Sequence, residues 1–128
     1  VIGTTSGMRT GVVAAVHHAR HRQAFGKELL EQDLMRNVLA DLALDAEAAT
    51  TVMMRLAGAH DRAVRGGADA GHERALRRIG LAVTKYQVCK RGPAHAAEAL
   101  ECLGGNGYIE DSGMPRLYRE MPLLSIWE

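Results

Sequence analysis

Aromatic side chains are scarce in this chain: one Phe, one Trp and three Tyr make up 4% of its 128 residues. β-Strands draw on aromatic and β-branched residues to fill a pleated surface, so a chain poor in rings and rich in Ala, Leu, Arg and Met is expected to be all-helical. Two cysteines, Cys89 and Cys102, are too few for a disulfide framework, and a reducing, cytoplasmic setting is the expectation. On helical sequence their separation is roughly 20 Å, too far to bridge, so both read as small buried apolar groups. No apolar run approaches the roughly 20 residues that a bilayer crossing needs, and no signal-peptide pattern opens the chain. Excess charge of one sign is lacking too. Sixteen Lys and Arg against 15 Asp and Glu leave a net +1, which excludes nucleic-acid binding driven by bulk charge alone. What is plentiful is apolar: 47% hydrophobic against 24% charged residues supports a buried core rather than disorder. The length suits one domain, 1–128. Its opening Val1-Ile2-Gly3 and its end at Trp127-Glu128, just after an apolar run, read as a domain of a longer protein.

Apolar periodicity predicts three long helices. Thr4, Thr5 or Ser6 is expected to cap the first, which runs to about Gln23 and is closed by Phe25-Gly26. The second spans about Gln32 to Val64, where Leu34, Val38, Leu42, Ala46, Ala49, Met53 and Leu56 recur every three or four positions. Gly66 to Gly71 form a loop. The third spans about His72 to Leu103, with Leu76, Ile79, Leu81, Val83, Tyr86, Val88 and Leu100 supplying apolar surface. A kink or break is expected at Gly92-Pro93, because proline removes a backbone donor and clashes with the preceding turn. Gly104-Gly105-Asn106-Gly107 ends the stretch, and Pro115 to Arg119 add a short helical turn. Short connections make neighbours antiparallel, giving an up-down-up bundle. Helices one and three then finish at the same end, which brings Arg22 and Phe25 close to Gly104 through Gly107.

Taken singly, each motif has a plain structural reading. Arg22 answers a helix dipole and Gly26 caps it, although a guanidinium fork also suits phosphate. The 104–107 loop lacks the Lys and Ser/Thr of a P-loop and follows no strand, so it reads as a helix stop that still lets a ligand approach the backbone. His17 and His21 sit one turn apart without a third ligand or a carboxylate partner, so a solvated face is expected rather than a metal site. Arg74, Arg77 and Arg78 form a basic patch with Asp69 and Glu73 beside it, again a solvated face.

The combination says more. Arg22-Gln23-Ala24-Phe25-Gly26-Lys27, Leu39-Ala40-Asp41-Leu42, Leu103-Gly104-Gly105-Asn106-Gly107-Tyr108, Arg116-Leu117-Tyr118-Arg119-Glu120 and Ile126-Trp127-Glu128 stand in this order. Together they resemble the C-terminal helical domain of the acyl-CoA dehydrogenases over essentially the whole chain. Cys89-Lys90-Arg91-Gly92, Glu98-Ala99-Leu100-Glu101-Cys102-Leu103 and Pro115 through Pro122 resemble the AidB-like, alkylation-response subgroup in particular. The resemblance implies FAD as cofactor, with Arg22 and Phe25 on its pyrophosphate and adenosine side. It further implies Gly104-Gly105 packed on the same cofactor across a subunit interface, with Glu101 where the family usually has Gln. Asp33 likewise stands where a second Gln is customary. Glu128 matches the family's catalytic base, preceded here by Trp127 where Tyr is usual. Implied partners are an acyl-CoA substrate, an electron-transfer partner whose kind the residues do not specify, and further copies of the chain in a homotetramer. The implied parent reaction is α,β-dehydrogenation of an acyl-CoA, with this segment inactive alone. The alternatives are an AidB-like DNA-associated flavoprotein with secondary dehydrogenase activity, or a plain helical interaction module.

Overall fold

The computed structural model describes residues 1–127. Three long helices, α1 (Ile2–His21), α2 (Asp33–Arg65) and α3 (Ala70–Glu101), form the body. A two-residue hairpin, β1 (Gln23–Ala24) and β2 (Lys27–Glu28), joins α1 to α2 through a 3-10 turn at Leu29–Glu31. Short helices α4 (Gly105–Tyr108), α5 (Met114–Glu120) and α6 (Leu123–Ile126) return along the bundle after α3. The fold is the expected all-helical antiparallel bundle. Its register is fixed by pairs that run down its length. Thr4 meets Cys89 and Gly11 meets Ala99, so α1 and α3 run parallel. Leu42 meets His95 and Arg55 meets Glu73, so α2 runs against them.

The core is built from small side chains. Ala15, Ala19, Leu39, Leu42, Ala99, Cys102 and Met114 form one buried cluster, and Met8, Ala46, Ala49 and Val88 form a second. Burying a residue such as Leu39 or Leu42 contributes about 1.5–3 kcal/mol, while the alanines bring the backbones close enough to exclude water. The α2 stripe holds at Leu42, Ala46, Ala49 and Leu56, but Leu34 is 77% exposed. On α3 the core face belongs to Thr84, Val88, Cys89, Gly92, His95, Ala96 and Ala99. Ile79, Leu81, Val83 and Tyr86, expected to supply apolar surface, do so on the outside of this chain.

Several expectations are corrected. Neither Thr4 nor Thr5 caps α1; both lie inside it and are buried, and the capping position is Val1. Thr5 instead donates its hydroxyl back to the Ile2 carbonyl at 2.8 Å. Helix α3 is continuous through Gly92-Pro93, so of the expected kink or break the break does not occur. The reason is packing: a methyl at Gly92 would lie 2.7 Å from Thr4 Cγ2 and 3.2 Å from Met121 Sδ. The helix is clamped there by α1 and by the chain after α5, and those contacts outweigh the donor that Pro93 lacks. Glu73 does not screen the Arg74–Arg78 patch. It is buried and accepts from Arg55 Nη1 and Nη2 at 2.9 and 3.1 Å and from Arg62 Nε at 3.0 Å. These hydrogen bonds, Arg55's first, hold its carboxyl below the usual range. Cys89 and Cys102 are both buried and unbridged, and Thr4 Oγ1 lies 3.1 Å from Cys89 Sγ.

Gly92→Ala should lower stability by about 1–2 kcal/mol, because overpacking at ~1–3 kcal/mol exceeds the ~0.5–1 kcal/mol gained in helix propensity. Thr4→Ser removes the offending methyl and keeps the hydroxyl, so the double variant should recover part of the loss in urea unfolding. Equal stability of Gly92→Ala and the parent would refute the clamp.

Candidate functional site

The end of α1 and the end of α3 enclose a depression of about 480 Å³ whose lining includes His18, Arg22, Glu101, Cys102, Gly104 and Gly105. Four sequence-designated residues, Arg22, Glu101, Gly104 and Gly105, therefore meet at one place. Phe25 is not among the lining residues. It sits at the hairpin tip, 98% exposed, with φ 55 followed by φ 79 at Gly26. Two consecutive positive φ angles are the backbone of a type I′ turn, which matches the twist of the flanking strands. Glycine or asparagine is the usual occupant, so a bulky ring at φ 55 is strained. The hairpin is held by the Leu29 amide on the Arg22 carbonyl at 2.9 Å and by Gln32 Nε2 on the Ala24 carbonyl at 3.3 Å. Glu128 lies outside the described residues. Its neighbour Trp127 is placed, and the Trp127 carbonyl accepts from Lys85 Nζ at 2.6 Å.

The glycines of the 104–107 loop separate by cause. Gly104 takes φ 58 at the N-cap of α4, two residues past the C-cap of α3, a conformation that disfavours a side chain. Gly107 lies so close to the Leu100 carbonyl oxygen that a Cβ would collide with backbone. Gly105 has neither constraint: its φ is ordinary, and a Cβ there would meet nothing within 4 Å. The fold needs Gly104 and Gly107, whereas Gly105 leaves open backbone on the lip of the depression.

Electrostatically the site is mixed. Among the described residues no carboxylate lies within salt-bridge distance of Arg22, a state it shares with Arg9, Arg20, Arg65, Arg74, Arg77 and Arg78; what sets Arg22 apart is its place on the depression. His18, one turn before Arg22, has its pKa lowered from 6.5 by burial and then by the Arg22 and His17 charges. It is therefore mostly neutral at pH 7. Burial, with Glu98 and Glu101 nearby, pushes the Cys102 thiol up to about 11, so it is not a nucleophile at neutral pH. Glu101 sets an acceptor at the rim, suited to a hydroxyl donor rather than to a phosphate. An unpaired guanidinium beside open glycine backbone fits a diphosphate. His18 was missed from sequence, since its spacing to Arg22 carries weight only once the loop is known to close over both. Among the described residues no group of three or more His, Cys, Asp or Glu is arranged to hold a metal ion, and no helix is long and apolar enough to cross a membrane.

An all-α bundle with an anion-compatible depression at one end defines the class, and similarity to known proteins supplies the family. Residues 1–128 match the model of the acyl-CoA dehydrogenase C-terminal domain, and the chain belongs to that family. It is 46% identical over 127 residues to the putative acyl-CoA dehydrogenase AidB of Escherichia coli, covering 99% of this chain and 23% of that protein. The solved apo form of Bd2924 superposes with a TM-score of 0.91 at 31% identity, over 98% of this chain and 25% of that one. Caenorhabditis elegans ACDH-11, solved in complex with C11-CoA, superposes with a TM-score of 0.85 at 27% identity, over 97% of this chain and 21% of that one. The chain thus spans about a quarter of the length of these relatives.

The His18 ring should titrate below 6.5 in an NMR pH series, with the neutral form favoured. Arg22→Gln should move the midpoint up, though not fully to 6.5, because burial is the larger cause. A midpoint above 6.5 in the parent would overturn this account of the site.

Proposed function

We propose that this chain is the C-terminal FAD-contacting and oligomerisation domain of a flavoprotein that dehydrogenates acyl-CoA thioesters at the α,β position. The observation that carries this reading is Gly105: open backbone that the fold does not require, on the lip of a depression shared with Arg22. FAD, when bound, supplies a hydride acceptor that no side chain offers. The chain's own residues bind and orient. Arg22 would hold the diphosphate, Gly104-Gly105 would admit it to the backbone, and Glu101 would accept from a hydroxyl. Phe25, strained and uncovered, would pack its ring on the adenosine side. Glu128 would remove the α-proton of the thioester. Its pKa rises only in a dry pocket, and Ile126 and Trp127, both exposed on this segment, would form part of such a pocket's wall once it is closed by other parts of the protein. The outward row Ile79, Val83 and Tyr86 on α3 favours a homo-oligomer, with the family's tetramer as the expected form. The two unbridged thiols favour a cytoplasmic setting.

The identity to AidB favours keeping a second reading, the DNA-associated flavoprotein, in which dehydrogenation is secondary. Glu73 turns inward, so Arg74 and Arg78 at the α2–α3 end are left without its charge. A gel shift by the full-length protein that Arg74→Ala/Arg78→Ala abolishes would place DNA contact on this segment.

In the full-length protein Arg22→Ala should weaken FAD retention about tenfold to hundredfold, the equivalent of one charge-assisted bond of roughly 1.5–3 kcal/mol. Gly105→Val should leave the unfolding midpoint unchanged and still impair FAD binding. Glu128→Gln should keep its FAD and lose the anaerobic bleaching of the flavin by butyryl-, octanoyl- or palmitoyl-CoA. Unchanged FAD affinity in both Arg22→Ala and Gly105→Val would remove the cofactor site from this end of the bundle.

A further inference from the structure

We infer that His18 is a second ligand for the diphosphate beside Arg22, and that it takes up a proton as the diphosphate binds. This rests on the reading of the Arg22–Gly105 depression as the FAD site, and adds to it the ionisation state in which the site holds its ligand. The two residues are one helical turn apart on the same face of α1, and both line the depression. Their backbones are tied, since the Arg22 amide donates to the His18 carbonyl at 2.9 Å. Ala15 and Ala19, both fully buried, seat this end of α1 against the bundle. The neighbouring imidazoles are engaged elsewhere. His17 and His21 lie with ring centroids 4.4 Å apart, and His21 Nδ1 donates to the His17 carbonyl at 2.7 Å. The His18 residue is half-buried, and among the described residues no protein group bonds either of its ring nitrogens.

The charge balance of the site points the same way. A diphosphate diester carries two negative charges, and Arg22 supplies one positive charge. The surroundings do not make up the difference. The end of α1 is a helix C-terminus, whose carbonyls repel an anion, and Glu101 at the rim adds a negative charge. The other titratable lining group from the end of α3 is Cys102, a neutral thiol at ordinary pH. The 104–107 loop contributes glycine and Asn106, and the segment leading into α2 contributes Leu29 and Met35, none of them charged. Among the described lining residues, His18 is the one other group that can become a cation. In the free protein it is held neutral, because burial and then the Arg22 and His17 charges lower its pKa. An anion seated between His18 and Arg22 reverses the electrostatic share of that effect, since an opposite charge within about 4–6 Å favours the imidazolium. The imidazolium then donates a charge-assisted hydrogen bond to a phosphate oxygen.

The test uses the full-length protein freed of its cofactor, with FAD as the titrant. Binding that raises the His18 pKa gains affinity on the acid side. The gain is complete below the pKa of the free protein and is lost as the pH rises through that of the complex. The parent should therefore bind FAD about tenfold more tightly at about pH 5.5 than at about pH 8. Between those limits it should take up roughly half a proton per FAD, read by calorimetry in buffers of differing ionisation heat. His18→Gln keeps a hydrogen-bonding side chain that does not titrate. It should match the parent within about twofold at the alkaline end, and lose both the acid-side gain and the proton uptake. Absence of proton uptake in the parent overturns the inference, and that reading stands even where His18→Gln fails to fold. A His18→Gln protein with the parent's pH profile overturns it too. Arg22→Ala, run in parallel, separates the two ideas. If it binds FAD as tightly as the parent, the diphosphate lies elsewhere and the reading of the site fails. If it binds weakly while His18→Gln keeps the parent's profile, only the role of the histidine is wrong.

Discussion

The close approach of α1, α3 and the chain after α5 is the constraint on which the rest of this structure depends. It is made where Gly92 faces Thr4 and Met121, and it recurs along α1 at Gly3, Gly7 and Gly11, each of which faces a side chain across the gap. Glycines four positions apart lie on one helix face, so α1 presents a groove in which Leu117, Met121 and Leu124 lie. The consequence reaches both functional ends. The groove sets the path of α5 and α6 and so delivers Trp127 to Lys85. It also fixes the axial register of α1 against α3, and that register sets Arg22 opposite Gly104.

The same constraint explains why Gly92-Pro93 does not break α3. A proline inside a helix costs about 3 kcal/mol or more in isolation. Here the flanking glycine is where two other elements come close, and an unbroken α3 keeps both the Thr4–Cys89 pair and the Ala99–Gly11 pair in contact. The tertiary packing overrides the local preference.

Much of this was legible in the sequence. The apolar spacing of Leu42, Ala46, Ala49 and Leu56 marks α2, and antiparallel topology alone puts Arg22 beside the 104–107 loop. What was not legible depends on who touches whom. Gly3, Gly7 and Gly11 look like helix-weakening residues until the partner that fills the groove is known. Thr4 and Thr5 resemble caps because hydroxyls favour that place, yet the helix starts earlier and buries them. The Phe25-Gly26 pair signals a stop and hides a hairpin, since a Phe at positive φ is an improbable choice on propensity alone. Ile79, Val83 and Tyr86 carry helical periodicity, but periodicity does not say whether the apolar face meets this chain or another.

That last ambiguity bears on how a site is completed. Along α3, Lys85 and Glu101 are 16 residues apart, roughly 24 Å of helical rise. Lys85, which holds the Trp127 carbonyl, thus lies at the middle of α3, while the rim of the Arg22–Gly105 depression lies at its C-terminal end. The outward apolar row on α3 and the uncovered Phe25 would have a common explanation in the proposed homo-oligomer, as surfaces that this segment's own fold leaves uncovered. The strain at Phe25 fits the same proposal, since an unfavourable backbone conformation is kept where a gain elsewhere offsets its cost.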